Sequence, residues 1–154
     1  MIITGHHFQN AYVVHNLEES LNYFRSVADI RTELAFEIEQ QMVVRGKRGT
    51  VRNKIAFVWV GEMQYELIEP VSGLCDIYRE ALPQHRKMQF HHVCMRVPDW
   101  AKFRSAAEAS GVPIVIEGGS EELRFLYLDA RETLGHYLEY SWMTDERWRQ
   151  LGGQ

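Results

Sequence analysis

Residues 90–103 read FHHVCMRVPDWAKF, and residues 8–21 read FQNAYVVHNLEESL. Each stretch opens with a β-branched and aromatic run, the composition of a strand. Each run is followed by an Asn or Asp, Asn16 or Asp99, placed one residue before an apolar position, Leu17 or Trp100. Such a residue can accept from the free N–H groups of a first helical turn, so both stretches are predicted to pass from strand to helix. Glu19 stands where a capping box places its acidic residue. Leu17, Leu21, Phe24 and Ala28 then form one helical stripe, and Phe103, Ala106 and Ala107 form another that ends at Gly111, a C-cap glycine. Gln9 and His92 sit equally far before Leu17 and Trp100, so the two corners are copies in spacing as well as in type.

The segments outside the corners repeat in the same order. After the first helix, Thr32–Val44 reads as a long strand or a bent pair. Residues 45–54 (RGKRGTVRNK) are polar, basic and glycine-containing, and are predicted to be a hairpin loop. Residues 54–60 form a strand, Gly61 and Glu62 a tight turn, and residues 63–68 a strand stopped by Pro70. A linker follows, with a short helix around residues 76–82. After the second helix come strands at residues 113–116, 123–129 and 135–142, with a turn at Gly118 and Gly119. The expected fold is α+β: two βαβββ modules forming a cup-shaped mixed β-sheet. The expected divisions are residues 1–71 for the first module, 72–88 for the linker, 89–144 for the second module and 145–154 for a C-terminal tail.

Composition sets the outer bounds. A chain of 154 residues that is 45% hydrophobic can bury one shared core. A net charge of −4 argues against nucleic acid as the main partner, because such binders neutralise phosphates with a basic surface. Cys75 and Cys94 are too few and too isolated for a disulfide scaffold or a zinc finger. The opening MIITGHHFQN lacks a basic region leading into an apolar stretch, and no run approaches the roughly 20 apolar residues that cross a bilayer. The expectation is a soluble, cytoplasmic protein with a small-molecule substrate and no membrane partner.

Side chains alternate faces along a strand. Gln9, Ala11 and Val13 therefore share a face, as do Gln64, Glu66 and Ile68; His92, Cys94 and Arg96; and Tyr137, Glu139 and Ser141. Gln9, Glu66, His92 and Glu139 occupy corresponding places in the two modules. If the modules face each other across a twofold axis, these four converge and offer an amide oxygen, two carboxylates and an imidazole. That set suits a divalent cation with positions left over for substrate. A carboxylate among apolar strand neighbours needs a cation or solvent. His7 lies on Gln9's face and is an alternative ligand if the register slips by two. His91 points the other way and is expected to be structural, as are the aromatics Phe57, Trp59, Trp100 and Tyr137. Arg45, Lys47, Arg48, Arg52 and Lys54 are either a solvated loop or a clamp for the phosphates of a CoA thioester.

The segments FQNAYVVHNLEESLNYF, YELIEPVSG, FHHVCMRVPDW and LGHYLEY resemble the vicinal oxygen chelate superfamily, over nearly the whole chain from Phe8 to Trp142. That group includes glyoxalase I, methylmalonyl-CoA epimerase, extradiol dioxygenases, and the fosfomycin and bleomycin resistance proteins. The resemblance is greatest to the epimerase and glyoxalase I-like branch. It implies Gln9, Glu66, His92 and Glu139 as ligands of one divalent metal (Mn, Co, Ni, Zn or Fe), with Glu139 and Glu66 also moving a proton. Gln9 in place of a first histidine sets the chain apart from the dioxygenases and fosfomycin enzymes. Val13 stands where glyoxalase I usually carries a glutathione-binding arginine. Arg96 holds the corresponding place in the other half and is expected to face the cup and grip a substrate carboxylate. The epimerases' second catalytic glutamate would fall in the region of Glu37 and Glu39. The implied function is a metal-dependent isomerase, epimerase or lyase that stabilises an enolate of a carbonyl or acyl-thioester substrate. The alternatives are a bleomycin-resistance-type binding protein and an extradiol-type dioxygenase. A homodimer is also expected, since paired modules of this kind assemble within one chain or across two.

Overall fold

The computed structural model describes residues 1–154. Strand β1 (His6–Val14) leads through helix α1 (Leu17–Val27) to β2 (Thr32–Val44), β3 (Lys47–Val60) and β4 (Met63–Gly73). Helix α2 (Asp76–Arg79) connects to β5 (Met88–Arg96), α3 (Trp100–Ala109), β6 (Ile114–Gly119), β7 (Leu123–Ala130), the short α4 (Arg131–Leu134), β8 (His136–Met143) and α5 (Asp145–Gln150). The eight strands close into a barrel in the order β1-β4-β3-β2-β6-β7-β8-β5. No helix is long and apolar enough to cross a membrane.

The corners form as their caps dictate. Asn16 Oδ1 accepts from the Glu19 N–H at 2.9 Å, and Asp99 Oδ1 from the Lys102 N–H at 3.0 Å. Glu19 does not complete a capping box; its carboxylate pairs with Lys87 across the surface. Helix α1 buries Leu17, Leu21 and Phe24 against the outside of β3 and β4, and α3 buries Phe103 and Ala107 against β7 and β8.

Strand register shows the duplication directly. Gln9 pairs with Cys94 and Ala11 with His92. A shift of 83 positions turns Gln9 into His92 and Ala11 into Cys94, so each pair becomes the other. The parallel pairs agree: Ala11 lies beside Glu66 on β4, and Cys94 beside Glu139 on β8.

Two sequence expectations need correction. Residues 47–54 are not loop but the first half of β3, and the hairpin turn is only Arg45 (φ 50) and Gly46 (φ 79). Two successive residues with positive φ make the tight turn that matches strand twist. The basic residues alternate with Val51 and Asn53, which are buried, so the polar character belongs to one face of a strand. Pro70 does not end β4. Asn53 pairs with Pro70 and Arg52 with Ser72, which leaves Val71 as a bulge. A bulge tolerates a residue that lacks an N–H.

The barrel interior is packed at both ends and hollow between them. Ile68, Tyr78, Tyr127 and Val51 fill one end. Phe8, Trp59, Met143 and Trp148 fill the other, where α5 and the residues after it cross the barrel. The Trp59 indole donates to Leu151 O at 2.8 Å, and Arg31 to Gly152 O at 3.0 Å. Residues 145–154 are therefore a plug rather than a loose tail. On one side the barrel closes by two residue pairs only, Val43 with Glu117 and Val44 with Ile116. Beyond that joint β2 makes no further ladder pair with the second half, and it forms one lip of the cup.

Candidate metal centre

The hollow is a cavity of about 530 Å³. Four adjacent strands, β4, β1, β5 and β8, form its floor. At the centre of that floor lie Ala11 and Cys94, both small and buried. Around them stand Gln9, Glu66, His92 and Glu139, whose side chains rise over the short ones. His92 Nε2 lies 2.9 Å from Glu139 Oε2 and 3.5 Å from Glu66 Oε1. One donor atom from each of Glu66, His92 and Glu139 falls within 4.8 Å of the others, close enough to share one cation.

Gln9 lines the same cavity and is 4% exposed. Its Nε2 donates to Gln64 Oε1 at 2.5 Å, which fixes the direction of the amide. Its Oε1 is buried and has no hydrogen-bond partner. A buried acceptor left unpaired costs roughly 1–3 kcal/mol, so it calls for a partner such as a cation. Two carboxylates, one imidazole nitrogen and one orphaned amide oxygen are a donor set that a divalent metal fits. His7 is exposed and hydrogen-bonds to Gln9 O and Asn10 Oδ1 instead.

His91 is missed as a site residue by sequence reasoning, yet it fixes the candidate ligand next to it, His92. Its Nε2 lies 3.0 Å from Ile77 O and must donate there, because a carbonyl only accepts. Burial, with the charge of His92 adding to it, pushes His91 down to about 3, so the ring is neutral and its Nδ1 is an acceptor. His92 Nδ1 sits 2.9 Å away and must carry the hydrogen. The relay Ile77 C=O, His91, His92 thus leaves His92 Nε2 as the nitrogen that faces the cup.

Electrostatics in the floor are coupled. Burial works to lower His92, but hydrogen bonds to Glu139 and Glu66 outweigh it and hold the ring up at about 9. Burial raises Glu66, His92 pulls it back, and Glu139 adds to the rise. Without metal the pocket keeps a proton on His92 to balance two carboxylates; a divalent cation does the same task without that proton. On β7, where it pairs with Glu139, the Tyr127 hydroxyl lies 3.4 Å from His92 Nε2 and accepts from Tyr78 Oη at 3.1 Å. Burial, reinforced by Glu139, raises Tyr127 well above its usual value, so it stays protonated and can donate.

Residues 8–127 match the Glyoxalase/Bleomycin resistance protein/Dioxygenase superfamily. The chain belongs to that superfamily. Among solved structures it is similar to methylmalonyl-CoA epimerase from Mycobacterium tuberculosis, at 12% identity and a TM-score of 0.61, with 97% of each chain covered. It is also similar to Streptomyces coelicolor methylmalonyl-CoA epimerase in complex with 2-nitronate-propionyl-CoA, at 14% identity and a TM-score of 0.62 over 92% of this chain and 96% of that one. A hypothetical protein from Bacillus halodurans C-125 aligns at 18% identity and a TM-score of 0.61 over 90% and 94%. At these identities the likeness is one of fold. No curated protein matches the sequence.

Other expected site residues lie elsewhere. Arg96 does not line the cavity: it stacks over Trp148 at 4.7 Å and binds Met143 O and Asp145 on the outer side of the plug. It follows His92 and Cys94 in the alternation but lies at the strand end, where the α5 connection captures it. Glu37 and Glu39 are exposed, and Glu37 pairs with Arg52; the cup-facing residues of β2 are Phe36, Ile38, Gln40 and Met42. Three of the five basic residues expected as a phosphate clamp are paired with acids: Arg45 with Glu80, Arg52 with Glu37 and Lys54 with Glu69.

Proposed function

We propose that this protein is a metal-dependent enzyme that moves a proton beside a carbonyl or acyl-thioester group, as an isomerase, epimerase or lyase does. The observation that carries this reading is the Glu66–His92–Glu139 cluster, completed by the orphaned Gln9 oxygen. Gln9, Glu66, His92 and Glu139 would hold the metal. When bound, the metal supplies Lewis-acid stabilisation of negative charge developing on a substrate oxygen.

The chain's own groups divide the remaining work. Glu66 or Glu139 takes the proton. Tyr127 donates a hydrogen bond from its place beside Glu139 on β7. Trp148, Phe57 and Phe125 keep water from the reacting carbon.

The wall opposite the ligands also favours one variant of the chemistry. Epimerisation requires a proton to leave one face of a carbon and return to the other. In the cavity β2 and β3 present Phe36, Ile38, Gln40, Met42, Asn53, Ile55 and Phe57, and the one lining carboxylate outside the floor is Glu122, between β6 and β7. A proton taken and returned on one side, as in isomerisation or a glyoxalase-type lyase, needs only the floor carboxylates, whereas epimerisation would call on Glu122 for the other face. The alternative of a binding protein needs no such donor set.

The test begins with metal content. Protein incubated with Mn, Co, Ni or Zn is expected to hold about one ion per chain by mass spectrometry, and Glu66→Ala none. The loaded protein is then given methylmalonyl-CoA, or the hemithioacetal of methylglyoxal and glutathione, in D2O and followed by proton NMR. Loss of the carbon-bound proton signal supports the enzyme reading. Absence of metal in the wild type removes it.

A further inference from the structure

The cavity contains a second buried acceptor without a partner, and it is not at the metal centre. Asn53 is 2% exposed, lines the cavity, and its Oδ1 has no hydrogen-bond partner. It stands four residues along β3 from Phe57, which is the residue paired with Glu66. At about 3.3 Å per residue the two levels are roughly 13 Å apart along the strand. No cation held by Glu66, His92 and Glu139 reaches that far.

The surroundings of Asn53 are apolar except at one place. Its cross-strand partner is Ile38, and the next cavity residue on its own strand is Ile55. Gln40, two residues beyond Ile38, lies diagonally opposite on the same face and also lines the cavity. Diagonal neighbours in a sheet are about 7–8 Å apart, within reach of a bridging ligand group. Two primary amides thus stand together in an otherwise greasy wall. One presents a buried oxygen that must accept; the other has an N–H2 that can donate.

We infer that Asn53 and Gln40 form a subsite for a secondary amide carried on an arm of the substrate. Asn53 Oδ1 accepts from the amide N–H, and the Gln40 side chain donates to its C=O. This rests on the reading of the cup as a substrate site and narrows the substrate class. The reactive head sits over the four floor residues, and an amide follows on an arm of about 10 Å or more, as strand spacing requires. Both a pantetheine thioester and a glutathione adduct carry such an amide.

Two measurements decide the matter, and the first needs no ligand. Asn53→Leu keeps the volume and removes the orphaned acceptor. If the amide is kept for a ligand, the metal-free variant is expected to melt a few degrees higher than wild type, by about 2–4 °C. A lower melting temperature at unchanged metal content means that Asn53 serves the fold and overturns the proposal.

The second is binding, read by quenching of Trp148, which lines the cavity, in the metal-loaded protein. S-propionyl-pantetheine and S-propionyl-glutathione are compared with S-ethyl thiopropionate, which has the same head and no amide. At least one of the two is expected to bind the wild type at least about tenfold tighter than the ethyl ester, the increment of one or two hydrogen bonds. Whichever does identifies the arm. That preference is expected to fall to within about threefold in Asn53→Leu and in Gln40→Leu, a half-exposed position that tolerates the change. Equal binding of all three probes by the wild type, or a preference that survives both substitutions, overturns the proposal. Amide-dependent binding without proton exchange at the head leaves the subsite standing and removes the enzyme reading instead.

Discussion

The two halves of the barrel share a backbone plan but not a task. Register maps Gln9 onto His92, Ala11 onto Cys94 and Glu66 onto Glu139. At the floor each half contributes one carboxylate and one neutral donor. Away from the floor they diverge. In the first half β2 and β3 run 13 and 14 residues and carry the apolar wall with its two amides. In the second half β6 and β7 run only 6 and 8, and a plug follows them. The support given to the neutral ligand differs too. Gln64 holds Gln9 by an amide, whereas His91 holds His92 through a ring nitrogen tied to a backbone carbonyl. The shared register places the four candidate ligands, and the supports around them differ between the halves.

The strongest way to break the comparison is to remove one carboxylate from each half. Glu66→Ala and Glu139→Ala are each expected to weaken metal binding by more than about 100-fold, beyond the 10–100-fold typical of supporting residues. Competition with a chromophoric chelator measures this, and a loss confined to one of the two would show that the halves are not equivalent. The supports come next. His91→Leu is expected to cost about 10–100-fold in metal affinity, and Gln64→Leu about tenfold or less, because only the former frees a tautomer. Calorimetric titration of both variants gives the ratio, and an equal loss would discard the relay.

A third test uses pH. In the metal-free protein His92 is held up at about 9, above its ordinary value near 6.5. Its contribution to stability is therefore fully present below about pH 6.5 and is lost as pH rises through 9. Metal must displace that proton, so apparent affinity is expected to rise with pH between about 6.5 and 9, with proton release on binding. Measuring the same metal in two buffers of different ionisation heat counts the protons; none released would contradict this arrangement. The smallest effect should be the most symmetric. Asn16→Ala and Asp99→Ala each remove a helix cap and are expected to cost about 0.5–2 kcal/mol in urea unfolding, the same in both halves and without change in metal affinity.

The corners made the fold legible, because a cap and a period of eight recur in strings that fold locally. The floor residues followed from strand alternation together with the repeat, which matches Gln9 to His92 and Glu66 to Glu139. What escaped the sequence depended on contacts between distant segments. Residues 47–54 carry loop-like composition, and only pairing with β2 and β4 shows that Val51 and Asn53 face inward. Arg96 obeys the alternation but is drawn off by Asp145 and Trp148. His91 points away from the cup, as its position requires, and acts through the ring beside it. The one available signal was the unusual pair of adjacent histidines in a strand.

The seam between the halves sets the mechanical behaviour of the whole. A ring of eight strands is joined over long ladders everywhere except where Val43 and Val44 meet Glu117 and Ile116. A ring with one short joint strains there first. The barrel is therefore expected to open as a split bracelet does, at the lip formed by β2, with the floor last to move, and hydrogen exchange is expected to be fastest in the amides of that joint.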